Sequence, residues 1–176
     1  MRKLFHVEPI LKTLFNRGFL VFIMVALLST SCITQRHTVE IENYILLEKG
    51  KVVLGHPDGL TAFMFENNPR KIPFNQFVAD KYQLPKYVDV EYNIDIDGNR
   101  FKVYVYEYAE IEKYFDISDF MVTKQENEQN IKGTTAKFIA LSMTDANNQD
   151  CLVENSLFKN IATKYLVQLK EEYNHS

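Results

Sequence analysis

An α+β domain, with an antiparallel sheet of about five or six strands, two or three helices and the C-terminal helix packed on the sheet, is the fold class this sequence predicts. Three observations carry it. Residues Val88 to Val105 alternate apolar and polar side chains on either side of Asp97-Gly98, the pattern of a hairpin. Short apolar runs of strand length flank that hairpin, at Leu60–Phe65 and within Ala136–Asp145. The chain then closes on a helical stripe in which Phe158, Ile161, Tyr165, Leu169 and Tyr173 share one face.

Taken in order, Thr38–Leu47 starts with alternation (Val39 and Ile41 against Glu40 and Glu42) and ends apolar at Tyr44–Leu47, which predicts a strand of increasing burial. Lys49-Gly50-Lys51 turns it into Val52–Leu54, and His56-Pro57-Asp58-Gly59 fits a type I turn before Leu60–Phe65. These three runs predict a meander. Asn67-Asn68-Pro69 breaks the chain, and Pro73–Leu84 spaces Phe74, Phe77, Val78 and Tyr82 as a helix that Pro85 ends. The hairpin follows over Tyr87–Tyr108. A two-residue Asp97-Gly98 turn sets Ile94 against Phe101, Tyr92 against Val103 and Val90 against Val105 on the buried face. The other face then pairs Asp95 with Arg100, Asn93 with Lys102, Glu91 with Tyr104 and Asp89 with Tyr106. Ala109–Met121 predicts a helix with a break near Ser118, and polar Thr123–Thr135 an exposed, mobile loop. Ala136–Asp145 returns to strand, and the last helix takes its cap from Asn155 or Ser156.

Ahead of this domain, Arg2, Lys3, Lys12 and Arg17 precede ten uncharged apolar residues, Phe19–Leu28, which is the layout of a signal peptide and short of a spanning helix. Leu28-Ser29-Thr30-Ser31-Cys32 resembles the lipobox of bacterial lipoproteins, with Leu28 one position further from the cysteine than in the usual pattern. The resemblance covers the signal alone. It implies a signal peptide over 1–31, a diacylglyceryl thioether and an added acyl chain such as palmitate on Cys32, a tether over 32–37, and a single domain over 38–176. More than one acyl chain gives stable attachment to a membrane. Ile33, where the family's inner-membrane members carry aspartate, implies the outer membrane. An uncleaved anchor over Gly18–Gln35 and cleavage after Ser31 without lipid are the alternatives. Ile33–His37 reach roughly 17 Å even when extended, so the domain and whatever it touches lie near the bilayer, on its periplasmic or outer surface.

Of the 20 Lys+Arg and 23 Asp+Glu, the signal holds four and one, leaving 16 against 22 and a charge of −6 on the mature part. That balance argues against nucleic acid as a partner. With Cys32 acylated, Cys151 is left without a disulfide partner and is read as a small buried hydrophobe rather than a nucleophile, since no histidine is marked as its base. Asn93-x-Asp95-x-Asp97-Gly98 matches the start of an EF-hand loop, but the twelfth position is Tyr104 and the flanks are strands, so the stretch is a hairpin turn. No catalytic residue, metal or cofactor is predicted.

The remaining hint is aromatic. Tyr104, Tyr106 and Tyr108 share the face of the hairpin opposite the predicted core, and with Asp89 and Glu91 they form the candidate interaction surface. The competing reading is a second core layer, with the final helix or the Phe74 helix over that face. The expected function is a non-enzymatic interaction or structural subunit of an envelope assembly, such as a secretion apparatus, with an envelope protein as partner. The alternative is a module binding a small ligand or glycan.

Overall fold

A computed structural model describes residues 38–85 and 91–176 of the chain, and Thr38–Ser176 forms one compact unit. In chain order the elements are β1 (Val39–Glu40), β2 (Ile45–Leu47), β3 (Ala62–Glu66), α1 (Phe74–Tyr82), β4 (Glu91–Ile96), β5 (Asn99–Val105), α2 (Tyr108–Tyr114), β6 (Phe120–Met121), a 3-10 turn (Glu128–Asn130), β7 (Phe138–Asp145) and α3 (Lys159–His175). Five strands pair antiparallel in the order β2-β3-β7-β5-β4, while β1 and β6 form a separate parallel pair. The class is α+β.

The hairpin has the register that its alternation requires. Ile94 faces Phe101, Tyr92 faces Val103, and on the other side Asp95 faces Arg100, Asn93 faces Lys102 and Glu91 faces Tyr104. Asp97 (φ 51°) and Gly98 (φ 78°) both take positive φ, the backbone of a type I′ turn whose twist matches the strands it joins. The predicted pairs of Asp89 and Val90 fall outside the described residues.

β3 and β7 are the inner strands. Every residue of Ala62–Glu66 is buried, as is Phe138–Thr144, because helices or ribbon cover both faces of the sheet. On one face Phe63, Phe65, Phe101, Val103, Leu141 and Met143 pack against Phe74 and Val78 of α1 and Ala162, Leu166, Leu169 and Tyr173 of α3. Phe74 meets Tyr173 edge to face at 5.0 Å, a geometry that contributes about 0.5–1.5 kcal/mol beyond area burial. On the other face Ala62, Met64, Phe138 and Ala140 pack against Ile111 and Phe115 at α2, with Phe120 of the β1/β6 ribbon beside them.

Four expectations are corrected. Thr38–Leu47 is two short strands in different sheets, because the chain bends at Glu42-Asn43 and Asn43 accepts a hydrogen bond from Lys170 of α3. Val52–Leu54 is loop, with Leu54 exposed and only Val53 in an isolated bridge to His56, so the meander has two strands. The helix over Ala109–Met121 ends at Tyr114, Phe115 having turned extended, and Phe120-Met121 is strand. The last helix starts at Lys159, because Ser156 uses its side chain on the Phe158 amide one turn early.

Candidate functional site

β4 ends the five-stranded sheet, and α3 runs along the same side of the molecule, leaving a groove of about 750 Å³ between them. Asn93 to Asp97 form one wall. Asn160, Ile161, Lys164, Tyr165 and Gln168 of α3 form the other, and Tyr82, the last residue of α1, also lines the groove. Helical spacing accounts for the second wall: Asn160, Lys164 and Gln168 follow one another at every fourth residue and so make one polar ridge. Lys164 is exposed and makes no ion pair among the described residues.

Three tyrosines fix the base of this groove. The Tyr165 hydroxyl lies 2.7 Å from that of Tyr82 and 2.9 Å from that of Tyr92, and the Tyr82 and Tyr92 rings stack at 4.5 Å. Burial raises the Tyr92 and Tyr165 hydroxyls well above their ordinary range, so both are neutral. Near Tyr82, Lys81 pairs with Glu172 and holds that carboxyl below its usual value, which ties α1 to α3 at the surface. The hydroxyls and the ion pair keep the α3 wall in place.

The tyrosines singled out by the sequence lie elsewhere, and two of the three are not available to a partner. Tyr104 and Tyr106 are 7% and 3% exposed, while Tyr108 is at the surface. The cover over Tyr106 is α2 and the Gly50–Lys51 loop, not α1 or α3, which take the opposite face: the Tyr106 ring contacts Tyr114 and Phe115, and its hydroxyl meets the Lys51 amide. Glu91 is exposed and pairs with Lys102 at 3.1 Å. Asp89 and Cys32 lie outside the described residues. Tyr106 serves a buried relay. The Lys51 amide donates to its hydroxyl at 2.6 Å, that hydroxyl meets Ser142 Oγ at 2.8 Å, and Ser142 donates to the Thr61 carbonyl at 2.7 Å. Asp150 accepts from the Thr61 amide at 2.7 Å and from the Leu152 amide at 2.8 Å. Burial pushes the Tyr106 hydroxyl up to about 12.

Cys151 belongs to the main core, 1% exposed, and burial pushes its thiol up to about 12, the opposite of what a nucleophile needs. His56 donates through Nε2 to the Asn148 carbonyl. Among the described residues no three His, Cys, Asp or Glu side chains gather as a metal site, and no helix is long and apolar enough to cross a membrane. A smaller recess of about 420 Å³ opens beside Phe74, Tyr106, Tyr108 and Phe138, mostly apolar. The larger groove offers carboxylates, amides, one ammonium and phenol rings around an exposed strand.

The α3 wall escaped the sequence reading, although Ile161 and Tyr165 were in its apolar stripe. The buried line of α3 is Ala162, Leu166, Leu169 and Tyr173, so those two residues stand at its margin and point to the edge of the sheet. The polar ridge beside them was the available signal. In comparisons with protein-family models, curated proteins and solved structures, nothing matches this chain.

Proposed function

We propose that this protein is a lipid-anchored, non-enzymatic interaction subunit of an envelope assembly, held at the outer membrane through Cys32 and engaging an envelope protein through the groove between β4 and α3. One observation carries the reading. The groove joins a strand edge that no other strand of the described residues pairs to a helix wall fixed by the Tyr82–Tyr165–Tyr92 hydroxyls. A preformed concave surface of that size suits binding, because little ordering remains to be done when the partner arrives. The test is crosslinking in intact cells, followed by detergent co-purification on a C-terminal tag. A stoichiometric envelope partner should come with the wild type and be lost both from Cys32→Ala and from Asn160→Lys. Recovery of the protein alone sinks the reading.

A second reading, a small-ligand or glycan module, is favoured by the same lining, since Asn93, Asn160 and Gln168 offer amides to hydroxyl groups. It predicts saturable binding of soluble oligosaccharides to the purified full chain, weakened by Asn160→Ala. Absence of binding at millimolar concentration counts against it.

A further inference from the structure

The direction of the β4 backbone follows from its turn. In a two-residue hairpin the residues flanking the turn exchange both hydrogen bonds, and the exchange then recurs at every second pair. Ile96 and Asn99 flank Asp97-Gly98, so Ile94 and Tyr92 also bond across to β5, and Glu91, Asn93 and Asp95 direct their N–H and C=O groups away from it. No strand of the described residues lies on that side. Such a row of unused donors and acceptors is a template for another strand.

We infer that β4 receives, as a sixth strand of the sheet, an extended segment of the partner protein in which apolar residues facing α3 alternate with Lys or Arg set against Glu91 and Asp95; this rests on reading the groove as the partner's seat. The alternation is dictated by the pleat. Residues of the added strand beside Glu91, Asn93 and Asp95 share their face, and the residues between them turn toward Ile96, Ile161 and Tyr165. The charges select the first set. Glu91 and Asp95 are already paired with Lys102 and Arg100, but their side chains remain 53% and 69% exposed, leaving carboxylate oxygens open to a second cation. The same charges reject a second copy of this chain. Antiparallel pairing of two β4 strands centred on Asn93, the register that uses the whole outward row, sets Glu91 of each copy against Asp95 of the other.

The test titrates the ¹⁵N-labelled full chain, in detergent micelles, with the capped peptide Lys-Val-Thr-Val-Lys and its counterpart Glu-Val-Thr-Val-Glu. The lysine peptide should slow exchange of the Asn93 and Asp95 amides at least about ten-fold, and the glutamate peptide should bind at least about ten-fold more weakly. Asn93→Pro removes one outward N–H without touching the bonds to β5 and should weaken binding at least about ten-fold, whereas Asn93→Thr, which keeps that N–H, should stay within about two-fold. Equal weakening by the two variants, unchanged amide exchange, equal binding of the two peptides, or no binding at millimolar concentration would each overturn the inference. If Asn93→Pro loses its fold by circular dichroism, wild-type amide exchange decides. Co-purification separates this from the wider proposal: a partner that stays bound to Asn93→Pro but leaves Asn160→Lys uses the groove without adding a strand, and a wild type that recovers no partner fails the wider proposal whatever the peptides do.

Discussion

Cys151 and Tyr106 show how burial assigns a reactive group to structure. The thiol lies in the core with its pKa raised from 9.0 to about 12, and the phenol holds the Lys51 amide with its own raised from 10.0 to about 12, burial being the leading cause for both. The fold favours the protonated form of each. The stability this gives is present in full below pH 9.0 for Cys151 and below pH 10.0 for Tyr106, and it declines as pH rises from there to about 12. Urea midpoints taken between pH 8 and 11 should therefore fall, and Tyr106→Phe should flatten part of the drop above pH 10.0. At pH 7 that variant should cost about 1–3 kcal/mol, because the Lys51 amide and Ser142 lose a buried partner. Cys151 should react with a thiol reagent only on unfolding, and Cys151→Ala should cost about 1–2 kcal/mol as a small cavity. Fast modification of the native protein would contradict that placement. The burial of Cys151 was legible from its apolar neighbours Leu152 and Val153. That of Tyr106 was not, because alternation shows only that two faces differ, while its cover comes from Gly50, Lys51 and Phe115, distant in sequence.

Among the elements, the hairpin, α1 and β7 follow from their local pattern, whereas the loop over Val52–Leu54, the end of α2 and the β1/β6 pair do not. The hairpin needs only its turn and its alternation, so its register was legible. β1 depends on β6 as its partner, across a sequence gap that no periodicity spans. Gly98 and Gly59 test the local rule. Both have positive φ, but a Cβ on Gly98 meets nothing within 4 Å, whereas one on Gly59 comes to 2.4 Å from the Gly50 carbonyl oxygen. Gly98→Ala should cost about 1 kcal/mol and Gly59→Ala about 2–4 kcal/mol by chemical denaturation, strain alone against strain plus overlap. Equal costs would contradict the packing of the Gly50 loop. The loop Thr123–Thr135 is exposed as its polarity implies, yet it is anchored: Glu66, buried in β3, accepts from the Thr123 amide at 2.6 Å, the Thr123 hydroxyl at 2.5 Å and the Lys124 amide at 2.5 Å. Glu66→Leu should lower stability by about 2–3 kcal/mol and speed amide exchange at Thr123 and Lys124. Unchanged exchange there would contradict the anchoring.

At the scale of the whole molecule, the sheet packs both faces against its own chain, and among the described residues its β4 edge carries no further strand, with α3 as a second wall. That arrangement moves the expected interaction site from the tyrosine face to the strand edge beside it, and Glu91 belongs to both. The groove was illegible in the sequence because its walls, Asn93–Asp97 and Asn160–Gln168, come together only when the C-terminal helix crosses the sheet. If Cys32 carries the proposed lipid, binding and anchoring should depend on each other in the cell. The central claim is that a partner occupies this groove while the protein is membrane-bound. The most direct measurement places a photocrosslinking side chain at Lys164 of the full chain in intact cells, with Lys113 on α2 as the control position and the adduct mapped at peptide level. The account predicts one discrete adduct from position 164, absent from position 113, lost with Cys32→Ala, and mapping to a segment of alternating apolar and basic residues. Equal adducts from both positions, or an adduct indifferent to Cys32→Ala, would contradict it.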